Sequence, residues 1–130
     1  MNIKFNDSSF INTATYKNFM SENSGTGKLN VKVSFAEQAL PVPNLKIVVS
    51  KEIGNYNVIF FEGLTDISGS IGPIILPTPP TNKDNMVVPQ FTIYKITATY
   101  SGRNYDYEVS MYDGIQVLQN INVVLNGDKS

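Results

Sequence analysis

Four side chains in predicted turns and strands carry the oxygen atoms that a calcium ion would need. They are Asp66, Ser68, Asp106 and Asp113, and Ca²⁺ is bound in proteins by carboxylate and other oxygen ligands. Residues 66–69 are not followed by a glutamate at the spacing of a helix-flanked calcium loop. Aspartate and glycine are favoured in turns for local reasons, through side-chain capping and positive φ angles. The sequence therefore predicts no metal site at these residues.

Asp106 and Glu108 are the two carboxylates whose spacing could serve glycoside hydrolysis. They share one face of a predicted strand, but an open sheet face supplies neither desolvation nor a pocket. His, Cys and Trp are absent from the 130 residues, which excludes a structural zinc site, a thiol nucleophile and a Ser-His-Asp triad. We therefore expect that the chain is not an enzyme and uses no cofactor.

Tyrosines near the C-terminal end could form a flat aromatic platform for a sugar ring or a protein partner. Tyr100, Tyr105 and Tyr107 share the inward phase of their predicted strands, so we expect them to pack in the core with their hydroxyls at its rim. Tyr112 falls in a predicted turn. It is therefore the tyrosine that we expect at the surface, and a candidate partner-binding residue.

The elements that position these side chains are predicted from an alternation of apolar and polar residues that begins at Lys28. This period of two is typical of strands with one buried face. Leu29, Val31 and Val33 point inward, whereas Lys28 and Lys32 point outward. Seven strands separated by turn signals predict an all-β fold, a β-sandwich. The predicted strands cover about residues 28–35, 45–51, 56–64, 70–76, 94–100, 105–111 and 115–125.

Residues 1–25 differ from the rest in composition, being rich in Asn, Ser and Thr. We predict an N-terminal arm over residues 1–25, a β-sandwich domain over 26–126 and a C-terminal tail over 127–130. A weak amphipathic pattern at residues 16–20 indicates a short helix. The Ser-Gly-Thr-Gly run at residues 24–27 indicates a hinge into the domain.

Aromatic side chains are scattered through this arm, which has too few apolar residues for a core of its own. We predict that Phe5, Phe10, Tyr16 and Phe19 bind a partner, either a second copy of this chain or another protein. Exposed sheet edges could accept such an arm. The alternative is a disordered terminus.

Charge and hydropathy limit the compartment and the partners. The formal net charge is −1, which argues against nucleic-acid binding because that requires a basic face. No apolar run approaches the length of a membrane helix, and the run from Ile74 to Leu76 is bounded by Pro73 and Pro77, so no membrane span is predicted. The first residues lack the apolar segment of a signal peptide. We expect synthesis in the cytoplasm, with retention there or release in a particle or spore.

Several runs of strand and turn residues resemble the carboxypeptidase-regulatory-like domains, which share their fold with transthyretin and the collagen-adhesin B-type repeats. The similarity covers about residues 25–125, and the ending is similar to a version found beside clostridial spore-cortex-lytic and peptidoglycan-binding modules. Arg103 and Asn104 are inserted before Tyr105, where that family has a Gly-Tyr hairpin. The matching runs are residues 25–33, 39–47, 62–69, 74–80, 94–98, 101–105, 111–115 and 119–121.

The resemblance implies a transthyretin-like sandwich and a non-catalytic accessory role, since such domains stiffen, space or dock larger assemblies. With its arm, this chain is expected to be a structural or adaptor subunit of a bacterial or phage-encoded assembly. A phage tail, a contractile particle or spore-associated machinery would each fit. The alternative is a carbohydrate-binding module for cell wall or spore cortex, and a hydrolase ranks third.

Collagen-adhesin repeats also form a Lys–Asn isopeptide bond next to a buried, protonated acid, which raises the same question here. The corresponding residues all fall on outward phases, where a glutamate stays ionised and a lysine stays charged. The resemblance therefore does not lead us to expect a cross-link. The residues concerned are Lys28, Lys32, Glu108, Asn120 and Asn122.

Overall fold

A computed structural model of the chain describes residues 3–5, 13–36, 40–81 and 90–124, with only the backbone described for residues 3–5. The chain begins with a short strand and a helix and continues with seven longer strands. The elements are β1 (Ile3–Phe5), α1 (Ala14–Glu22), β2 (Gly25–Phe35), β3 (Lys46–Ile53), β4 (Tyr56–Leu64), β5 (Ser70–Thr78), β6 (Phe91–Tyr100), β7 (Arg103–Tyr112) and β8 (Gln116–Val123).

The strands form two sheets, one of five strands in the order β1-β4-β3-β6-β7 and one of three in the order β5-β2-β8. Most pairs are antiparallel, but β1 runs parallel to β4 and β2 runs parallel to β8. The apolar faces of both sheets contribute to one shared core. The predicted all-β sandwich is therefore confirmed, with seven strands in the domain and β1 added by the arm.

The core follows the predicted alternation closely. Leu29, Val31 and Val33 of β2 are buried while the polar residues between them are exposed or half-buried, and the same alternation runs along β6 from Tyr94 to Ala98. The pairing of β2 with β8 places Val31 beside Gln119 and Val33 beside Ile121. The fully buried side chains are Leu29, Val31, Val33, Ile47, Val49, Leu76, Tyr94, Ile96, Met111, Ile121 and Val123.

The arm contains the predicted helix, which is longer than the sequence pattern indicated. Thr13 caps α1, since its hydroxyl oxygen accepts a hydrogen bond from the Tyr16 amide at 3.3 Å. The helix lies over a small apolar cluster of the larger sheet, formed by Ile53 and Val58. None of its nine residues is fully buried, so α1 is an addition to the sandwich rather than part of its centre.

Two local predictions are wrong. The alternation that points Leu45, Ile47 and Val49 inward predicts an outward Ser50 near the end of its strand, yet only 2% of Ser50 is exposed. The pairing of β3 with β4 shifts here, with Val49 opposite Phe61 and Ser50 opposite Ile59, and such a bulge alters the local geometry of a sheet. The hinge predicted at residues 24–27 is also absent, because β2 already begins at Gly25 and pairs there with Thr78.

Candidate functional site

A cleft of about 430 Å³ lies where two neighbouring strands of the five-stranded sheet separate. The pairing of β3 with β6 runs from Lys46 opposite Thr99 to Ser50 opposite Lys95 and ends there. Beyond this point the strands diverge, and side chains from β3, β4, β6 and β7 line the opening. The lining residues are Ser50, Lys51, Glu52, Asn57, Ile93, Tyr94, Lys95 and Glu108.

Lys51 bridges the two strands beyond their last backbone pair. Its Nζ donates a hydrogen bond of 2.8 Å to the carbonyl oxygen of Ile93 and lies 5.9 Å from the centre of the Tyr94 ring, within the range of a cation–π contact. Burial lowers the pKa of Lys51, and the charge of Glu108 opposes that change. The ammonium group is thus fixed in position at the cleft by a carbonyl and an aromatic ring.

The charged groups of the cleft balance one another. Lys51 and Lys95 supply two cations, and Glu52 and Glu108 supply two carboxylates. Lys95 and Glu108 are directly opposite in the β6–β7 ladder, where unlike charges stabilise a strand pair. Together with Asn57 these side chains offer hydrogen-bond donors and acceptors within one small opening.

An apolar rim continues from this cleft along the same face of β6. Alternate residues of a strand share a face, so Phe91, Ile93 and Lys95 lie in one row. Phe91 and Ile93 are 45% and 40% exposed. The Phe91 ring lies 5.5 Å from that of Tyr112, its partner across the ladder. The outer face therefore combines an aromatic pair with a polar cleft.

Tyr112, a predicted partner-binding residue, lies at the end of β7 rather than in a turn, and it is half-buried against Phe91. Sequence reasoning missed Phe91, because the strand was expected to begin at Tyr94. The signal was present: extending the same alternation back by three residues places Phe91 on the outward phase with Ile93. The prediction that Tyr112 binds a partner stays a prediction.

The arm residues predicted to bind a partner are placed as far as the structure describes them. Tyr16 and Phe19 contact this chain's own sheet around Ile53 and Val58, and the Phe19 ring lies 5.9 Å from that of Phe60. Part of their apolar area is therefore used within the chain. Phe5 is the last residue of β1, and Phe10 lies outside the described residues.

A buried hydrogen bond fixes the end of the arm. The Thr92 hydroxyl donates a hydrogen bond to the side-chain oxygen of Asn23, and Nδ2 of the same Asn23 side chain donates to the carbonyl oxygen of Phe19 at 2.8 Å. Asn23 and Thr92 are 7% and 8% exposed. The C-terminal end of α1 is thereby joined to β6 at a site shielded from water.

The inward tyrosines lie where the alternation predicted. Tyr100, Tyr105 and Tyr107 are all packed against the main core while remaining partly exposed. The Tyr105 hydroxyl accepts a hydrogen bond from the Val124 amide at 3.0 Å, as expected of a hydroxyl at the rim. These three rings therefore do not form a flat platform at the surface.

Of the four residues considered for calcium, Asp66 and Asp113 use their carboxylates to accept backbone hydrogen bonds. Oδ1 of Asp66 accepts hydrogen bonds from the Ser68 amide at 2.9 Å and the Ser70 amide at 3.0 Å, which closes its own turn. The carboxylate of Asp113 accepts hydrogen bonds from the amides of Thr26 and Thr81 at 3.0 and 2.8 Å. Within the described ranges, no three acidic side chains come together as metal ligands would.

The residues considered for an isopeptide bond lie apart. Lys32 and Asn120 are neighbours in the three-stranded sheet, with exposed side chains. Glu108 belongs to the other sheet, where it faces outward beside Lys95. An acid that is exposed and on a different sheet is not positioned to catalyse amide formation between that lysine and that asparagine.

Among the residues that the structure describes, no helix has the length and apolar character of a membrane span.

Comparison with known proteins finds similarity in structure and none in sequence family. No protein-family model matches the chain, and no curated protein matches it. A transthyretin from Sparus aurata is similar with a TM-score of 0.45 and 16% identity, over 69% of this chain and 85% of that one. A 5-hydroxyisourate hydrolase from Klebsiella pneumoniae is similar with a TM-score of 0.46 and 11% identity, over 75% of this chain and 92% of that one.

The predicted all-β sandwich is established by the two sheets of this chain itself. The prediction that the chain is not an enzyme is contradicted by the second comparison, because that neighbour is a hydrolase. The absence of His and Cys removes particular mechanisms, but the fold itself does not exclude catalysis. At this level of identity the likeness concerns the fold alone, and no reaction is assigned to this chain.

Proposed function

We propose that this chain is a structural subunit that joins copies of itself into a larger assembly by exchanging its N-terminal strand. The observation that carries this proposal is the way β1 is attached. It pairs with β4 at the edge of the five-stranded sheet through only three residues: Ile3 opposite Tyr56, Lys4 opposite Asn57 and Phe5 opposite Val58. Each backbone hydrogen bond contributes about 0.5–1.5 kcal/mol net, so this attachment is weak enough to open.

The edge of β4 is a general acceptor for a strand. An uncovered edge presents unpaired amide and carbonyl groups, and these pair with any extended segment that reaches them. Every copy of the chain carries both the donor, β1, and the acceptor, β4. Exchange between copies replaces each contact with an identical one, which makes it a low-cost route to association.

The helix would remain with its own domain during such an exchange. Asn23 joins α1 to Thr92 by a buried hydrogen bond, and Phe19 packs against Phe60. These contacts fix α1 more firmly than three strand pairs fix β1. The arm therefore divides into an anchored helix and an exchangeable strand.

The kind of assembly follows from the resemblance described above rather than from the coordinates. Domains of that type dock or space larger bacterial structures, so we propose a phage tail, a contractile particle or spore-associated machinery as the setting. Exchange between two copies gives a closed dimer, and exchange that does not close gives a chain of subunits.

Single cysteines test this proposal directly, because the chain has none of its own. We would prepare Lys4→Cys in one sample and Asn57→Cys in another, mix them and oxidise the mixture. The two positions are partners in the β1–β4 register, at a spacing suited to a disulfide bond. Exchange predicts a mixed disulfide between the two variants, identified by mass spectrometry, whose yield rises with protein concentration.

The matched control mixes Lys4→Cys with Asn104→Cys, which lies on β7 at the opposite edge of the same sheet. Random collision would cross-link both mixtures alike, whereas exchange favours the first. The double variant Lys4→Cys/Asn57→Cys completes the test. If it closes only within single chains, and the first mixture gives no more product than the control, strand exchange is wrong.

A further inference from the structure

We propose that the cleft between β3 and β6, together with the rim formed by Phe91, Ile93 and Tyr112, binds a neutral oligosaccharide. The cleft opens between β3 and β6 and includes no part of the arm, and of its lining residues Asn57 is also the β4 partner of Lys4 in β1. We call the combined surface the cleft and rim.

The charge balance of the cleft selects the ligand class. Two lysines and two glutamates line it, so a charged ligand would meet repulsion from one pair whichever sign it carried. A neutral ligand with many hydroxyl groups meets no such penalty. Each hydroxyl both donates and accepts hydrogen bonds, which matches the alternation of ammonium and carboxylate groups around the opening.

The fixed position of Lys51 adds directionality. Its Nζ is already held by the Ile93 carbonyl and lies over the Tyr94 ring, so little side-chain freedom is lost when a ligand oxygen accepts a further hydrogen bond from it. Hydrogen bonds to charged groups are stronger than those between neutral groups. An ammonium held in this way is suited to orient one hydroxyl of a bound ring.

The rim supplies the apolar surface that the less polar faces of sugar rings require. Phe91 and Tyr112 present adjacent rings, and Ile93 lies between them and the cleft along β6. Phe91 and Lys95 are four residues apart on one strand, which corresponds to about 13 Å at the rise of a β-strand. That distance exceeds a single ring, so the cleft and rim fit a short oligosaccharide.

The test is a titration followed by calorimetry and by two-dimensional amide NMR. The probes are three neutral tetrasaccharides, cellotetraose, maltotetraose and chitotetraose, with the anionic tetragalacturonate for comparison. The proposal expects at least one neutral tetrasaccharide to bind more tightly than tetragalacturonate and to shift the amide signals of β3, β6 and β7 around the cleft.

Two exposed variants and one control assign the site. Phe91→Ala removes the centre of the rim and Glu108→Gln removes one charged acceptor, so each should weaken binding about tenfold or more. Asp106→Asn serves as the control, because Asp106 shares the outer face of β7 with Glu108 but is hydrogen-bonded to Thr97 at 2.8 Å and lies outside the cleft. It should leave affinity unchanged.

Three outcomes would overturn the inference. The first is that no neutral tetrasaccharide binds. The second is that tetragalacturonate binds more tightly than every neutral probe. The third is binding that Phe91→Ala and Glu108→Gln leave unaltered, which would place the sugar elsewhere. None of these results bears on strand exchange, which the disulfide experiment decides separately.

Discussion

At the scale of single residues, two turn glycines with nearly equal backbone angles differ in what surrounds them. Gly69 has a φ of +78°, and a Cβ placed there would lie 2.5 Å from the carbonyl oxygen of Val33 and 3.0 Å from the amide nitrogen of Val42. Gly102 has a φ of +77° with no heavy atom within 4 Å of such a Cβ. Of these two glycines, Gly69 alone is therefore required by close packing as well as by backbone conformation.

Alanine at these two positions should separate the two effects. Gly102→Ala is expected to cost about 1–2 kcal/mol of unfolding free energy, from the left-handed conformation alone. Gly69→Ala carries the same cost together with a clash against backbone atoms that cannot move cheaply, so it should be clearly more destabilising. Urea unfolding measures both, and equal losses would show that the chain around Gly69 yields more readily than this packing implies.

Two exposed carboxylates make stability depend on pH at the acid end. Hydrogen bonds from the Thr81 amide, and then from the Thr26 amide, lower the pKa of Asp113. Hydrogen bonds from the Ser68 hydroxyl and the Ser70 amide lower that of Asp66. A carboxyl whose pKa is depressed by folding stabilises the folded state above its unfolded pKa, and this contribution is lost as the pH falls through the folded value.

We therefore expect the urea midpoint to decline as the pH is lowered from about 5 to below 4, the range of unfolded aspartate. In the Asp66→Asn/Asp113→Asn variant the decline should be shallower, and the midpoint at pH 7 should be lower. Glu22→Gln, which removes a charge from the exposed face of α1, is the control and should keep the wild-type slope. A double variant as steep as wild type would show that neither carboxylate contributes.

At the scale of elements, the join between α1 and β6 depends on one pair of buried polar side chains, Asn23 and Thr92. Asn23→Ala leaves the Thr92 hydroxyl without this partner in a site closed to water, which should cost about 1–3 kcal/mol. Thr92→Val replaces that hydroxyl with a methyl group of similar shape. In the double variant the losses of unfolding free energy from the two substitutions should therefore not add. Urea unfolding of the wild type, both single variants and the double variant measures this coupling. Fully additive losses would mean that the two side chains act independently.

This join also means that removal of the whole arm should destabilise the domain. A variant lacking residues 1–24 loses Phe19 and Asn23 and uncovers Ile53 and Val58. It should therefore unfold at a lower urea concentration than a variant lacking only residues 1–5, whose strand contributes three residue pairs. Equal stabilities would show that α1 contributes little to the domain.

The elements could be predicted from the sequence wherever one face of a strand is buried. The alternation along β2 and β6 identified the inward residues, because a period of two follows from strand geometry alone. It failed at Ser50, since the shift in pairing there depends on how β3 aligns with β4 and not on either strand by itself. The start of β6 was missed for a simpler reason: the alternation was counted only from Tyr94, although it continues back to Phe91.

At the scale of the whole molecule, the residues considered for a Lys–Asn cross-link are divided between two different sheets. Lys32 and Asn120 lie on the three-stranded sheet and Glu108 on the five-stranded one, so no acid is placed to promote their condensation. The intact mass should therefore equal the sequence mass. A deficit of about one ammonia, abolished in Lys32→Ala or Lys28→Ala, would contradict this placement and indicate a buried acid.

The cleft, by contrast, could not be predicted from the sequence. Its residues come from four strands, and local alternation assigns each residue only to one face of its own strand. Their convergence arises because β3 and β6 stop pairing after Ser50 and Lys95. Where two strands separate depends on the twist of the whole sheet, and no single segment carries that information.

The parallel pairing of β2 with β8 has a consequence for biosynthesis. β2 is among the first strands of the domain to leave the ribosome, and β8 is the last, yet they lie side by side from Lys28 to Phe35. Until β8 emerges, one edge of β2 is open and the positions of Ile121 and Val123 in the core are unfilled. A message truncated before these codons would release a chain with an exposed strand edge, which is a substrate for aggregation and for quality-control proteases.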